Sequence, residues 1–304
     1  MKVAVMFSGQ GSQYANMGLS FFENNLDKIK IAEDILGFDI LNALKNENEE
    51  LKKTSFTQTL MTLMMMFIYD ELKEKIEISG TLGFSLGEYS ALYAASVYDF
   101  ETLIKLVLYR SKLMDEASTK YPGKMVAVLN TDLDNLEKVV SDIAKNDIIT
   151  IANYNARSQH VLSGSEQAIN NALDILKELG VRRMIPLNVS GGFHSQLMND
   201  ASHKLNTYLK TLKPTSPLIP VYLNTTAKPL VLSELEMRLT DQIKSSVYFY
   251  QTIEEMIKDG FTHFIEVGPG NVLTNLVKRN YEVKVINIES KEDFKKLEEF
   301  LNVE

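Results

Sequence analysis

The chain has 304 residues, 45% of them apolar and 24% charged, with 32 Lys plus Arg against 40 Asp plus Glu for a formal net charge of −8. A chain this long buries roughly three quarters of its unfolded surface, and at about 150 residues per domain it makes two domains or one large domain with an insert. Cysteine is absent, which excludes a disulfide scaffold, a thiolate metal site and a cysteine nucleophile, and the acidic balance argues against nucleic acid or anionic membrane as partner.

Lys2–Phe7 is too short for a secretory apolar region and reads as a buried first strand. Leu60–Ile68, the longest apolar stretch, is about half a membrane span and contains Thr62. A cytoplasmic protein is expected. A helix over Thr57–Lys75 follows, then a short strand near Ser79–Gly83 and helices over Gly87–Ala95 and Phe100–Ala117. Such alternation favours a parallel sheet covered by helices.

Tyr121-Pro122-Gly123 punctuates the chain. Beyond it the pattern is strand Met125–Leu129, helix Leu133–Lys145, strands Ile148–Asn153 and His160–Ser163, helix Glu166–Leu179 and strand Arg182–Leu187. This βαββαβ order is that of a ferredoxin-like unit. The expected organisation is a catalytic α/β domain of residues 1–122 and 190–304, with an inserted subdomain of residues 123–189. The αβ pattern then resumes. A helix over His194–Leu212 leads into strand Val221–Leu223, and helices near Glu234–Ser245 and Gln251–Lys258 precede strand Thr262–Val267. Helix Asn271–Arg279, strand Val283–Asn287 and a charged helix from Lys291 close the chain.

Gly83-Phe84-Ser85-Leu86-Gly87 lies between a predicted strand and a predicted helix. A sharp strand-to-helix turn there lifts a serine hydroxyl above the sheet, and the flanking glycines allow the close backbone approach. The Leu86 N–H, at the start of the helix that opens with Glu88, would face a developing oxyanion. The same five letters can also be a plain turn. Of four histidines, His160 and His263 sit in strand patterns and His203 in a polar helical stretch. His194 stands at a predicted helix start, where the dipole opposes protonation and favours a neutral imidazole able to take the serine proton; a structural histidine is the other reading.

Phe7-Ser8-Gly9-Gln10-Gly11-Ser12-Gln13 follows the first strand. It can be a phosphate loop, although the dinucleotide pattern breaks at Tyr14, or a loop whose glutamine donates to an oxyanion. Arg110 ends the apolar stretch Leu103–Tyr109. A cation at that depth needs an anion: Asp115 or Glu116 in a salt bridge, or a substrate carboxylate held by the guanidinium fork.

Together these motifs resemble the malonyl-CoA:acyl carrier protein transacylases of fatty acid synthesis. The similarity runs from residue 3 to about 280 and includes the Phe7–Gln13 motif, Thr57-Gln58, Gly83 to Leu92, Arg110, Ile151-Ala152-Asn153-Tyr154-Asn155-Ala156, Phe193-His194-Ser195 and Glu266-Val267-Gly268-Pro269-Gly270. The resemblance implies an α/β-hydrolase-like core with a ferredoxin-like subdomain, Ser85 as nucleophile and His194 as base. It implies an oxyanion hole of Gln10 and the Leu86 N–H, with Arg110 on the malonyl carboxylate. Gln58, Asn155, Phe193 and Gln242 are implied to line the pocket, with Phe193 favouring malonyl. Malonyl-CoA and acyl carrier protein are the implied substrate and partner. No metal or redox cofactor is called for, and a monomer is expected.

Family members usually carry histidine where this chain has Phe84, and proline where it has Ser8. Altered packing or pH response is expected from the first, and a looser turn from the second. Two basic pairs, Arg182-Arg183 and Lys278-Arg279, are candidates for docking an acidic carrier. The rivals are a polyketide synthase acyltransferase or acyl hydrolase of the same fold, and, from another class, a noncatalytic nucleotide-binding αβ protein.

Overall fold

The computed structural model describes residues 1–45 and 53–301. Among these the strands are, in chain order, β1 (Val3–Phe7), β2 (Gly80–Gly83), β3 (Lys124–Leu129), β4 (Ile149–Ala156), β5 (Gln159–Gly164), β6 (Arg183–Pro186), β7 (Val221–Tyr222), β8 (His263–Val267) and β9 (Lys284–Ile288). Five of them form a sheet in the order β7-β2-β1-β8-β9, with every neighbouring pair parallel. Val3, Val5 and Phe7 enter one apolar cluster while Ala4 and Met6 enter another on the opposite face. Burial on both faces is why this strand reads as an unbroken apolar run rather than an alternation.

Chain order reverses at β1, which pairs with β2 on one side and β8 on the other. Open parallel sheets bind ligands at the carboxyl ends of their strands where the order switches in this way. The register sets Phe7 opposite both Gly83 and Val267. The loops after β1, β2 and β8 therefore leave the sheet side by side, and these are the loops that carry the motifs beginning at Phe7, Gly83 and Glu266.

The second sheet and its two helices use only residues 124–186. Its strand order is β4-β5-β3-β6, all antiparallel, and helices Leu133–Ile143 and Glu166–Glu178 cover one face over their own apolar core. Register shifts on either side of Asn153 and Tyr154 break the β4 ladder. The freed groups bond the main body instead: Val247 N–H donates to Ala152 O at 2.8 Å, and Tyr154 N–H to Val247 O at 2.9 Å. A bulge thus anchors the small sheet beside the site.

Several boundaries differ from expectation. The first long helix begins at Thr54, not Thr57, and runs to Lys73; the second extends from Phe100 to Lys120. Helices Leu19–Glu23, Leu26–Leu36 and Ile40–Lys45 went unread. The N-caps of the first two, Gly18 and Asn25, make no side-chain hydrogen bond. The helix expected over His194–Leu212 is a correction. A 3₁₀ turn at Gln196–Met198 leads into a helix over Asn199–Leu209, and His194 precedes both.

Candidate active site

The turn after β2 is possible only because two of its residues lack a Cβ. A methyl group on Gly83 would lie 1.9 Å from the Gly87 carbonyl carbon, and one on Gly87 would lie 2.1 Å from Phe7 O. Between them Ser85 adopts φ 51°, in the left-handed region, where a Cβ is crowded by the neighbouring carbonyl. Strain at such a position marks a site that the surrounding structure holds in place.

His194, the residue chosen from the four histidines, meets this serine across 109 positions of sequence: Ser85 Oγ lies 2.8 Å from His194 Nε2. The imidazole's other nitrogen, Nδ1, is 2.8 Å from Gln242 O and 3.0 Å from Ser245 O. Two carbonyls can only accept, so Nδ1 carries the proton and Nε2 presents its lone pair to the serine hydroxyl. The orienting group is main-chain oxygen rather than a carboxylate.

The reason for neutrality also differs from expectation. His194 has φ 57° and lies ahead of the turn at Gln196–Met198 rather than in a helix. Burial, and then the nearby Arg110 cation, hold its pKa down to about 4, against the pull of the two carbonyl bonds. His160 is buried in β5, His263 opens β8 and His203 is exposed on helix Asn199–Leu209; none of them joins the site.

Arg110 lies midway along helix Phe100–Lys120 and is fully buried. Neither carboxylate considered for it is its partner. Asp115 accepts from Ser55 N–H, and Glu116 pairs with Lys204 at the surface. The guanidinium instead donates to Gln58 Oε1 at 2.6 Å, Gln242 Oε1 at 3.2 Å and Ser85 Oγ at 3.4 Å, and it lies 5.0 Å from the centre of the Tyr89 ring. Its buried Nε has no hydrogen-bond partner.

That positive charge orients the amides around it. With Oε1 of Gln58 facing the cation, Nε2 donates to Gln10 Oε1 at 3.2 Å, which leaves the NH₂ and main-chain N–H of Gln10 as its donors. With Oε1 of Gln242 likewise engaged, Nε2 donates to Ser85 O at 2.7 Å. Gln242, matched only loosely in the sequence, thus touches the serine, the cation and, through its carbonyl, the histidine.

Phe193 is buried in the main core immediately before His194. Asn155 lies near the end of β4 with its Oδ1 buried and unpartnered. Phe84 packs edge-on against Phe249 at 5.6 Å, and a Cβ on Gly9 would come within 2.7 Å of the Phe84 ring. The Gln10 loop therefore rests on Phe84. Ser8 does not loosen its turn. Its N–H donates to Val267 O at 3.1 Å and its hydroxyl to Glu266 Oε1 at 3.1 Å, while Glu266 also receives the N–H groups of Leu273 and Thr274. A proline could not make the first of these bonds.

Sequence reasoning missed Ser245, whose contribution is a carbonyl and so independent of side-chain identity. It also missed Asn224, just after β7, and gave Glu88 no partner. Asn224 Oδ1 accepts from Ser85 N–H at 2.7 Å, and its N–H donates to the buried Glu88 carboxyl at 2.5 Å. The serine after a glycine elbow could have prompted a search for an amide partner, but nothing local distinguishes Asn224.

Taken together, a serine hydroxyl, a neutral histidine, free N–H donors beside it and a buried cation suit acyl transfer through a covalent intermediate. A family model described as acyl transferase domain matches residues 5–298. The polyketide biosynthesis malonyl CoA-acyl carrier protein transacylase PksC of Bacillus subtilis (strain 168) is 37% identical over 91% of this chain and 96% of its own length. The malonyl CoA-acyl carrier protein transacylase of Staphylococcus aureus (strain COL) is 36% identical over 97% of each. A crystal structure of MCAT from Streptococcus pneumoniae superposes with a TM-score of 0.94 at 36% identity, over 99% of this chain and 100% of that one. Matched almost end to end in sequence and in fold, this chain belongs to the acyl transferase domain family.

Proposed function

We propose that the protein transfers the malonyl group of malonyl-CoA to the phosphopantetheine thiol of an acyl carrier protein, by way of a malonyl ester on Ser85. The observation that carries this reading is Arg110: a fully buried guanidinium bonded only to neutral groups, with one terminal nitrogen 3.4 Å from the nucleophile. A buried cation without an anionic partner is costly. A substrate carboxylate beside the serine supplies that partner, with charge-assisted bonds stronger than those to the amides.

In the first half-reaction His194 Nε2 takes the Ser85 proton as Oγ bonds to the thioester carbon. The oxyanion accepts from the Leu86 N–H and from Gln10. The C–S bond then breaks, and the departing thiolate receives the proton from His194 and leaves as coenzyme A. In the second, His194 takes the proton of the carrier's thiol as its sulfur bonds to the malonyl carbon, the ester C–O bond breaks and Ser85 is reprotonated. These steps use no group beyond the two substrates and the residues named.

Incubation with malonyl-CoA should leave one malonyl adduct on the intact protein, mapped to the peptide containing Ser85 and absent from Ser85→Ala. An adduct persisting in that variant would overturn the assignment. The absence of any adduct, together with nucleotide binding, would favour the noncatalytic rival.

The setting we propose is fatty acid synthesis in the cytoplasm; no helix among the described residues is long and apolar enough to cross a membrane. The similarity to the Bacillus polyketide enzyme favours a second reading, in which the carrier belongs to a polyketide synthase. Transfer rates to the two kinds of carrier, with hydrolysis as the competing reaction, separate them. Arg182, Arg183, Lys278 and Arg279 are all exposed and make no ion pair among the described residues, so both pairs are available to an acidic carrier. Charge reversal at the pair that docks it should raise the KM for carrier about tenfold and flatten its salt dependence, leaving acylation by malonyl-CoA intact. An unchanged KM excludes that pair.

A further inference from the structure

The two glycines permit the turn at Ser85, but permission does not keep a serine at positive φ. Asn224 is 4% exposed, and its side chain bonds the turn on both sides. Oδ1 accepts from Ser85 N–H at 2.7 Å, and Nδ2 donates to Gly83 O at 2.5 Å. Its own N–H donates to Glu88 Oε2 at 2.5 Å, and its carbonyl accepts from Tyr248 N–H at 2.9 Å. One residue just beyond the next strand over is therefore tied to the strand end, the nucleophile and the first turn of the following helix.

The bond to Ser85 N–H has a chemical consequence. It removes the nucleophile's own amide from the set of donors that could face an oxyanion, while among the described residues no bond engages the N–H of Leu86. We infer that Asn224 and Glu88 form a clip that holds Ser85 in its reactive backbone geometry and commits the oxyanion to the Leu86 N–H. Both are positioning residues, since neither touches the reacting atoms. The inference rests on Ser85 being the nucleophile.

Glu88 serves here as a neutral acceptor. Burial pushes its carboxyl up to about 8, against the opposing effects of the Asn224 N–H and Arg110, so an amide of the same shape should replace it. In single-turnover acylation at saturating malonyl-CoA, Asn224→Ala should lower the rate constant about 10²-fold, the scale of a misplaced reacting group, with KM within about threefold of the parent. Reaction of Ser85 with a small phosphonofluoridate should slow in parallel. Glu88→Ala should show the same pattern, Glu88→Gln should restore the rate to within about threefold, and the double variant should be no worse than either alanine variant alone, as for residues that act as a unit.

A folded Asn224→Ala that acylates at the parent rate would overturn the clip, as would a Glu88→Gln no better than Glu88→Ala. Should Asn224→Ala not fold, Asn224→Asp retains the acceptor for Ser85 N–H and loses the donor to Gly83 O. An intermediate loss of about tenfold supports the clip, and an unchanged rate refutes it. Failure of the nucleophile assignment would be seen separately, as an adduct on Ser85→Ala.

Discussion

Arg110→Ala should lower kcat/KM for malonyl-CoA by on the order of 10²–10³ while acetyl transfer falls far less. Truncating one partner of a buried, hydrogen-bonded charge pair costs about 2–5 kcal/mol, and each 1.36 kcal/mol is tenfold in rate. Acetyl lacks the carboxylate, so it loses none of that interaction, only the contact of Arg110 with Ser85 Oγ. Some cost falls on the fold as well, because Oε1 of Gln58 and of Gln242 both lose their donor. Arg110→Lys keeps the charge but not the fork, and should fall between parent and alanine for malonyl. Parallel transfer assays with the two acyl-CoAs, on variants with native circular dichroism, make the comparison. Equal losses for both acyl groups would remove Arg110 from substrate selection.

His194→Ala should reduce acylation by on the order of 10²–10⁴, the range for losing a general base. The more discriminating result is the pH profile of the parent. His194 works as a base only when neutral, and its pKa is lowered to about 4 by burial and by Arg110. The acid limb of kcat/KM, which reports the free enzyme, should therefore lie near pH 4, with full activity retained through pH 6.5 where an ordinary histidine would already be half protonated. Binding of malonyl places a carboxylate on Arg110 and cancels one of the two causes of the depression. The acid limb of kcat should thus lie above that of kcat/KM. In Arg110→Ala the limb of kcat/KM should also move up, for the same reason. A limb near pH 6.5 in the free parent would show that burial does not control this imidazole.

Both expectations depend on one shared arrangement, in which Arg110 acts on four neighbours at once. It depresses the histidine, turns the Gln58 and Gln242 amides and reaches the serine hydroxyl. Under the proposed function, substrate selection and base strength are therefore coupled. A diacid half-ester satisfies the cation and, in doing so, makes the imidazole more basic at the moment its proton affinity is needed.

Much of this protein was legible from local pattern. The glycine-flanked serine between a strand and a helix is a short-range signal, because the turn needs its missing Cβ atoms at fixed offsets from Ser85. The βαββαβ order of the small sheet and the doubly buried first strand likewise follow from residues close in sequence. Arg110 announced itself as a charge on an apolar helix face, which is costly wherever it folds. What the chain could not declare locally is who meets whom. The neutral partners of Arg110, rather than Asp115 or Glu116, emerge only when helices Thr54–Lys73 and Phe100–Lys120 pack together and helix Leu235–Gln242 brings its last residue to them. The imidazole's state is set by desolvation and a cation that sequence places 84 positions away, not by the helix end that local pattern suggested. Its orienting groups are carbonyls, which every residue possesses, and Asn224 is an ordinary asparagine until β7 lies beside β2. Steric demands are local and leave their mark in the sequence. Burial and long-range hydrogen bonding exist only in the folded chain, and they decided the electrostatics of the site.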